Sequence, residues 1–226
     1  MWGSQRVWAV TIGEKARVAD PSSVVFVVDD DACMRAAIES LLRSSGLNVR
    51  SFSSALEFRA RPPSDAPACL VLDVRLPGTS GLELQRELAE RDPLPIVFIT
   101  GHGDIPTSVR AMKAGAVEFL PKPFRDEDLL QAISQALESA QKTWRTRADQ
   151  TKLRNMFEQL TPRERQVFAL VVSGMLNKQI AYELGISEVT VKGHRGQVMH
   201  KLQASSVADL VRMAGRVGIG PDHSVT

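Results

Sequence analysis

No apolar run in this 226-residue chain approaches the roughly 20 residues that a membrane-spanning helix needs, which excludes a transmembrane anchor. The opening stretch also lacks an apolar signal core. Trp2, Val7, Trp8, Val10 and Ile12 are interrupted by Gly3, Gln5, Arg6 and Thr11, so residues 1–21 read as a poorly specified extension. Cysteine is almost missing. Cys33 and Cys69 are too few for a disulfide scaffold, and both read as free buried thiols in a reducing cytoplasm. Proline and glycine are absent from Arg125 to Leu160, which favours a long helical connector over a floppy linker. With 43% apolar and 24% charged residues, the chain is core-forming rather than disordered.

The net charge of +2 conceals two halves of opposite sign. Ser22 to Glu138 carries 12 Lys/Arg against 17 Asp/Glu, a net charge of −5. Ser139 to Thr226 carries 13 against 7, a net charge of +6. The halves have separate tasks, and the basic one is suited to a polyanion.

In the acidic half, short apolar runs alternate with helical patterns. Val24 to Val28, a segment at Val49, Cys69 to Leu72, Ile96 to Ile99 and Val117 to Leu120 read as strands. Ala32 to Leu42, Ser54 to Arg59, the stretch after Ser80, Ile105 to Ala114 and the stretch from Asp126 read as helices. Ser80 and Glu83 form a capping box, followed by an apolar stripe of Leu82, Leu84, Leu88 and Ala89. Five strands alternating with five helices predict an α/β doubly wound parallel sheet covered on both faces.

Polar groups sit at the strand ends: Asp29 and Asp30, Asp73, Thr100, and Lys122 just past the fifth strand. Sites in such sheets lie at the carboxyl edge, where these groups converge. Clustered carboxylates repel one another, and a hard divalent ion such as Mg²⁺ relieves that repulsion through oxygen ligands. With Lys122 neutralising an incoming phosphoryl group, Asp73 is placed to attack it and form an aspartyl-phosphate. Each residue also has a plainer use: Asp29 or Asp31 as a helix cap, Thr100 as a turn former, Lys122 as a solvated lysine. Phe119 belongs to the core on either account.

Residues 22–140 resemble a receiver domain of bacterial two-component response regulators. The matching pieces are Val28-Asp29-Asp30-Asp31, Leu72-Asp73-Val74-Arg75-Leu76-Pro77-Gly78, Thr100-Gly101-His102-Gly103-Asp104 and Lys122-Pro123-Phe124. The resemblance implies that Asp73 accepts phosphate from a sensor histidine kinase. It implies that Asp29, Asp30, Asp73 and the backbone carbonyl of Arg75 hold Mg²⁺. Thr100 and Lys122 would bind the phosphoryl group, with Thr100 and Phe119 as the switch pair. Phe119 lacks the hydroxyl of the Tyr found in many relatives. The Lys122–Pro123 bond is expected to be cis.

The final helix continues through Ile133, Leu137, Ala140, Trp144 and Ala148, giving a helical linker over residues 141–159. Trp144 covers that stripe or packs at a domain or dimer contact. Beyond it, Thr161, Pro162 and Glu164 mark a helix start. Asn177 is read as the cap of a second helix, Ser187 of a third and Ser206 of a fourth, with Gly185 as a tight turn and Gly215 as the end. Two helices joined by a short Gly-containing turn form a helix-turn-helix signature.

Residues 160–215 resemble the all-α four-helix DNA-binding domain of quorum-sensing and FixJ-like regulators, leaving 216–226 as a tail. The resemblance rests on Leu160-Thr161-Pro162-Arg163-Glu164-Arg165, Asn177-Lys178-Gln179-Ile180-Ala181, Ser187 to Lys192 and His194-Arg195. It implies that Lys178, Thr190, Lys192, His194 and Arg195 meet DNA. Lys192 and Arg195 are expected opposite Val191, Val198 and Leu202. Gly193 and Gly196 depart from the pattern and offer no side chain to a base.

The whole chain therefore resembles a cytoplasmic transcriptional regulator that binds promoter DNA as a homodimer once phosphorylated, with RNA polymerase as a further partner. It is not an enzyme beyond its own phosphoryl transfer. One rival is a Mg²⁺-dependent phosphatase or phosphotransferase. Arg75 counts against it, because the position two beyond the nucleophile would need a proton donor. The other rival is a DNA-binding protein whose receiver no longer takes phosphate.

Overall fold

The computed structural model describes residues 23–101 and 105–217. Expectations for the N-terminal extension, for His102, Gly103 and Asp104, and for the tail beyond Val217 lie outside the described residues. The chain divides into two compact units between Trp144 and Arg145.

The first unit runs β1 (Val24–Val28), α1 (Ala32–Ser44), β2 (Asn48–Phe52), α2 (Ala55–Arg59) and β3 (Ala68–Asp73). A two-stranded ribbon follows, β4 (Arg75–Leu76) with β5 (Thr79–Ser80). Then come α3 (Gly81–Arg91), β6 (Ile96–Thr100), α4 (Ile105–Lys113), β7 (Glu118–Pro121) and α5 (Asp126–Glu158). Five strands form one parallel sheet in the order β2-β1-β3-β6-β7. The predicted fold class is what is observed; the ribbon is an addition to it.

The unbroken apolar strands follow from burial on both faces. Phe26, Val28, Leu70, Leu72, Ile96 and Phe98 point to a core shared with α2, α3 and α4. Their neighbours Val25, Val27, Cys69, Val71, Val97 and Ile99 point to a second core against α1 and α5. Successive side chains alternate faces, so a strand covered on both sides has no polar position to spare. Each such Val, Leu or Phe contributes about 1.5–3 kcal/mol by leaving water.

Some local expectations need correction. Ala89 is exposed, and Gln85 takes its place in the buried face of α3. Its side-chain amide donates to the carbonyls of Ala111 and Ala114 at 3.2 Å each, tying α3 to the end of α4. Apolar periodicity does not register a polar side chain that caps a neighbouring helix. Cys33 is exposed in the first turn of α1, whereas Cys69 is buried and its thiol is pushed far above its ordinary value. On α5, Ile133, Leu137 and Ala140 are buried, Trp144 is half-buried and Ala148 is exposed.

The second unit packs the end of α5 with α6 (Pro162–Val172), α7 (Asn177–Leu184), α8 (Glu188–Lys201) and α9 (Val207–Val217). Thr161 and Glu164 make the expected capping box. Asn177 is not the cap of α7. Leu176 holds that position, and its N–H donates to the Gln179 side chain at 2.8 Å. Gly215 does not end α9, which continues to Val217; glycine interior to a helix costs only about 1 kcal/mol, which packing overrides. Gly185 takes φ +64° between α7 and α8, a conformation glycine adopts freely.

Glu164 is buried in this unit, and its carboxylate accepts from Lys201 Nζ at 2.7 Å and from the Thr161 N–H at 2.8 Å. Burial pushes its carboxyl up, but the bonds from Lys201 and Thr161 outweigh that and hold it below its ordinary value. Lys201→Ala leaves a buried carboxylate with one partner fewer, at a cost of about 1–3 kcal/mol. A group whose folded pKa is lowered stabilises above its ordinary 4.5, and that stabilisation disappears as pH falls through the folded value. Urea unfolding of the full chain should show the variant's deficit at pH 7 and its shrinkage below pH 4.5.

Candidate functional site

The strand order reverses direction between β1 and β3, and the crevice of an open α/β sheet opens beyond the carboxyl ends of such strands. Asp29 directly follows β1 and Asp73 ends β3. Both are buried, at 0% and 6% exposure, while Asp30 beside them is exposed. Oxygens of Asp29, Asp30 and Asp73 all lie within 4.8 Å of one another.

Lys122 reaches into this cluster from just beyond β7. Its Nζ donates to Asp29 Oδ2 at 2.8 Å and to Asp73 Oδ2 at 2.6 Å. Its backbone N–H donates to the Thr100 carbonyl at 2.7 Å, which fastens the end of β7 to the end of β6. The Lys122–Pro123 peptide is cis, as expected. The second oxygens are held by main chain: Asp29 Oδ1 accepts from the Asp31 N–H, and Asp73 Oδ1 from the Arg75 N–H, both at 2.9 Å. Asp31 caps α1 by accepting from the N–H groups of Cys33 and Met34. The helix-cap reading therefore belongs to Asp31, and Asp29 is left to the cluster.

Burial raises the carboxyl of Asp29 above its ordinary value in spite of the Lys122 ammonium beside it. Burial works against the charge of Lys122 as well, yet its hydrogen bonds to Asp29 and Asp73 hold it above its ordinary value. Two buried carboxylates share one ammonium, with the third carboxylate nearby in solvent. Hard oxygen donors at this spacing fit a divalent cation such as Mg²⁺.

Thr100 is fully buried at the end of β6. Phe119 is half-buried on β7, its ring centroid 6.2 Å from that of Phe98 and tilted by 43°. The structure thus brings Asp29, Asp30, Asp73 and Lys122 together, with Thr100 on the neighbouring strand end. Arg75 is exposed and contributes its N–H to Asp73.

One residue escaped the sequence reading. A Cβ built on Gly81 would stand 2.4 Å from the carbonyl oxygen of Asp73 and 3.1 Å from Cα of Val74. The Gly81 N–H donates to the Val74 carbonyl at 2.9 Å. The first residue of α3 is therefore pressed against the backbone that carries Asp73, and only glycine fits. Its place next to the capping residue Ser80 was visible, but not what the helix start would press against.

On the second unit, Lys178, Thr190 and Lys192 are exposed and His194 is half-buried. Lys192 Nζ lies 3.6 Å from Glu188, and the Thr190 hydroxyl is 2.8 Å from that of Ser187. Arg195 departs from expectation. Val191, Arg195, Val198 and Leu202 recur at spacings of four, three and four, which is one helix face. Arg195 is half-buried there and donates to Asn177 Oδ1 at 3.1 Å. It lies beside the core stripe, next to α7, and not opposite that stripe. The outward face of α8 carries Val189, Lys192, Gly193, Gly196 and Gln197, all exposed.

Comparison with known proteins follows the same division. A family model of the response regulator receiver domain matches residues 25–134, and one of bacterial regulatory proteins of the luxR family matches residues 158–214. Nodulation protein W of Bradyrhizobium diazoefficiens is 51% identical over 207 residues, 91% of each chain. The transcriptional regulatory protein FixJ of the same organism is 42% identical over 196 residues, 86% of this chain and 96% of that one. The solved structure of the response regulator StyR is 52% identical, covers 86% of this chain and 98% of that one, and superposes with a TM-score of 0.77.

Because the raised pKa of Asp29 makes its ionised form costly, stability without metal should fall as pH rises from 3.8 through the folded value. Asp29→Asn should raise the metal-free unfolding midpoint at pH 7, and the gain should vanish at acid pH. Millimolar Mg²⁺ should stabilise the unsubstituted protein more than the variant in the same thermal scans. Gly81→Ala should cost about 1–3 kcal/mol, since backbone rather than a flexible side chain must yield. It should also weaken Mg²⁺ binding in calorimetric titration.

Proposed function

Since the chain belongs to the two-component response regulators, with a receiver domain and a luxR-type DNA-binding domain, we propose that phosphorylation of Asp73 by a sensor histidine kinase controls its binding to promoter DNA. The observation that carries this reading is the Lys122 ammonium bound by both Asp29 and Asp73, with Asp30 alongside. A nucleophilic carboxylate is held ready, and a positive charge stands where phosphoryl oxygens would arrive.

Asp73 Oδ1 is fixed by the Arg75 N–H, which orients the carboxylate for in-line attack by Oδ2 on the phosphorus once Lys122 shifts toward the incoming group; the phosphorus–nitrogen bond to the kinase histidine breaks, and the imidazole leaves with the electron pair. Asp29, Asp30, Asp73 and the Arg75 carbonyl would hold Mg²⁺. The ion supplies positive charge that offsets the repulsion between carboxylate nucleophile and phosphate. Thr100 then hydrogen-bonds the phosphoryl oxygen, and Phe119 follows into the space it leaves. An acid two residues past the nucleophile would suit a phosphatase; Arg75 holds that position and cannot release a proton near neutral pH.

The output face is formed by α4 together with α5. Ile105, Val109 and Met112 are exposed at 79%, 44% and 44%, and their spacing of four and three makes one apolar stripe. Pairing two receivers through this stripe would present two basic domains to a two-fold operator, with half-sites about one helical turn apart or a multiple of it. Lys178, Thr190, Lys192 and His194 supply contacts to DNA, and the regulator works in the cytoplasm, acting on transcription with RNA polymerase.

Acetyl phosphate with Mg²⁺ should add one phosphoryl group to the chain, read by intact mass, and Asp73→Asn should abolish it. Continued stoichiometric labelling of that variant overturns the assignment. Sedimentation with beryllofluoride and Mg²⁺ should convert monomer to dimer and raise DNA affinity together. Val109→Asp should keep the labelling and lose the dimer. Going from 1:99 to 99:1 dimer needs about 5.5 kcal/mol of coupling, so a partial shift measures how strongly Asp73 and α4 communicate.

A further inference from the structure

Val189 is 79% exposed in the first turn of α8. It takes no part in the hydrophobic core of its unit. Valine is a poor choice for an exposed helical position, because its branched Cβ restricts χ1. Packing within the unit does not account for its place there.

Its surroundings narrow the choice. Gly193, one turn on, carries no side chain, and a Cβ there would meet nothing within 4 Å. Gly193 therefore offers no side chain to screen Val189. Arg195 of the same helix is already engaged, since it donates to Asn177 on the inner flank. Lys192 leans toward Glu188 of the first turn. The start of α8 thus offers one open apolar side chain, Val189, beside the pair of Glu188 and Lys192. In a helix-turn-helix, the first turns of the second helix are the ones that meet base edges. The apolar group that a base edge offers in the major groove is the 5-methyl of thymine.

We infer that Val189 is a specificity-determining residue that seats its methyl groups against a thymine methyl in the major groove. The inference rests on α8 being the DNA-facing helix. Arg195 joins α8 to α7 through its bond to Asn177.

The test uses the full chain treated with acetyl phosphate and Mg²⁺. Duplexes are selected from a random pool, and each thymine of the enriched duplex is replaced in turn by deoxyuridine, which lacks only the methyl. One thymine per half-site should lose about fourfold in affinity, the worth of one buried methyl group. With Val189→Ala the enriched duplex should bind more weakly, the same replacement should cost nothing further, and the loss on a random-sequence duplex should be smaller than on the enriched one. If no replacement matters, or if it costs the variant as much as the parent, the assignment to Val189 is overturned while DNA binding by α8 stands. If no duplex is enriched at all, the DNA-binding reading fails and this inference falls with it.

Discussion

Two carboxylates taken out of water within reach of each other are the constraint on which the receiver unit depends. Asp29 and Asp73 would repel strongly in an apolar crevice, and the Lys122 ammonium between them is what makes their burial tolerable. Lys122 is 93 residues from Asp29 and 49 from Asp73 along the chain, so the arrangement exists only when β1, β3 and β7 stand in one sheet. The cluster is balanced but not relaxed. The raised pKa of Asp29 shows that one ammonium does not fully offset its burial. Such a site gains when further positive charge arrives, which suits it to a divalent cation and to phosphoryl chemistry.

The same crevice is bound tightly to its surroundings. Gly81 lets α3 begin in contact with the backbone of Asp73 and Val74. From that helix Gln85 reaches the terminal carbonyls of α4. The main chain of Lys122 is joined to that of Thr100. A displacement at Asp73 therefore meets packed backbone and hydrogen-bonded ends, not loose side chains. Packed elements of this kind shift between discrete arrangements rather than deform by degrees. This is the physical support for the proposed route from Asp73 to the apolar stripe on α4.

The DNA-binding unit solves a smaller problem with similar means. Its core is modest, and an ion pair between buried Glu164 and half-buried Lys201 joins the start of α6 to the end of α8. Arg195 and Asn177 join α8 to the start of α7. Both contacts act on α8, which must keep a defined attitude to its neighbours if its outward face is to be read as a surface. Charges that a linear reading assigns to DNA are partly spent on that geometry.

Local periodicity determined the order of strands and helices, their cap at Ser80 with Glu83 and at Thr161 with Glu164, and the placing of Asp29, Asp73 and Lys122 near strand ends. These are properties of a few consecutive residues, set by repeats of 2 and 3.6 and by the needs of helix termini. The face occupied by Arg195 was also legible, because its spacing from Val191, Val198 and Leu202 is helical; its charge drew the reading to the solvent side. Tertiary structure alone decided that one lysine would bind two distant aspartates, that Gln85 would be buried and Cys33 exposed, and that a Cβ at Gly81 would strike the backbone of Asp73. Each depends on which elements become neighbours. Strand order and helix packing set that, and no local pattern of side chains encodes it.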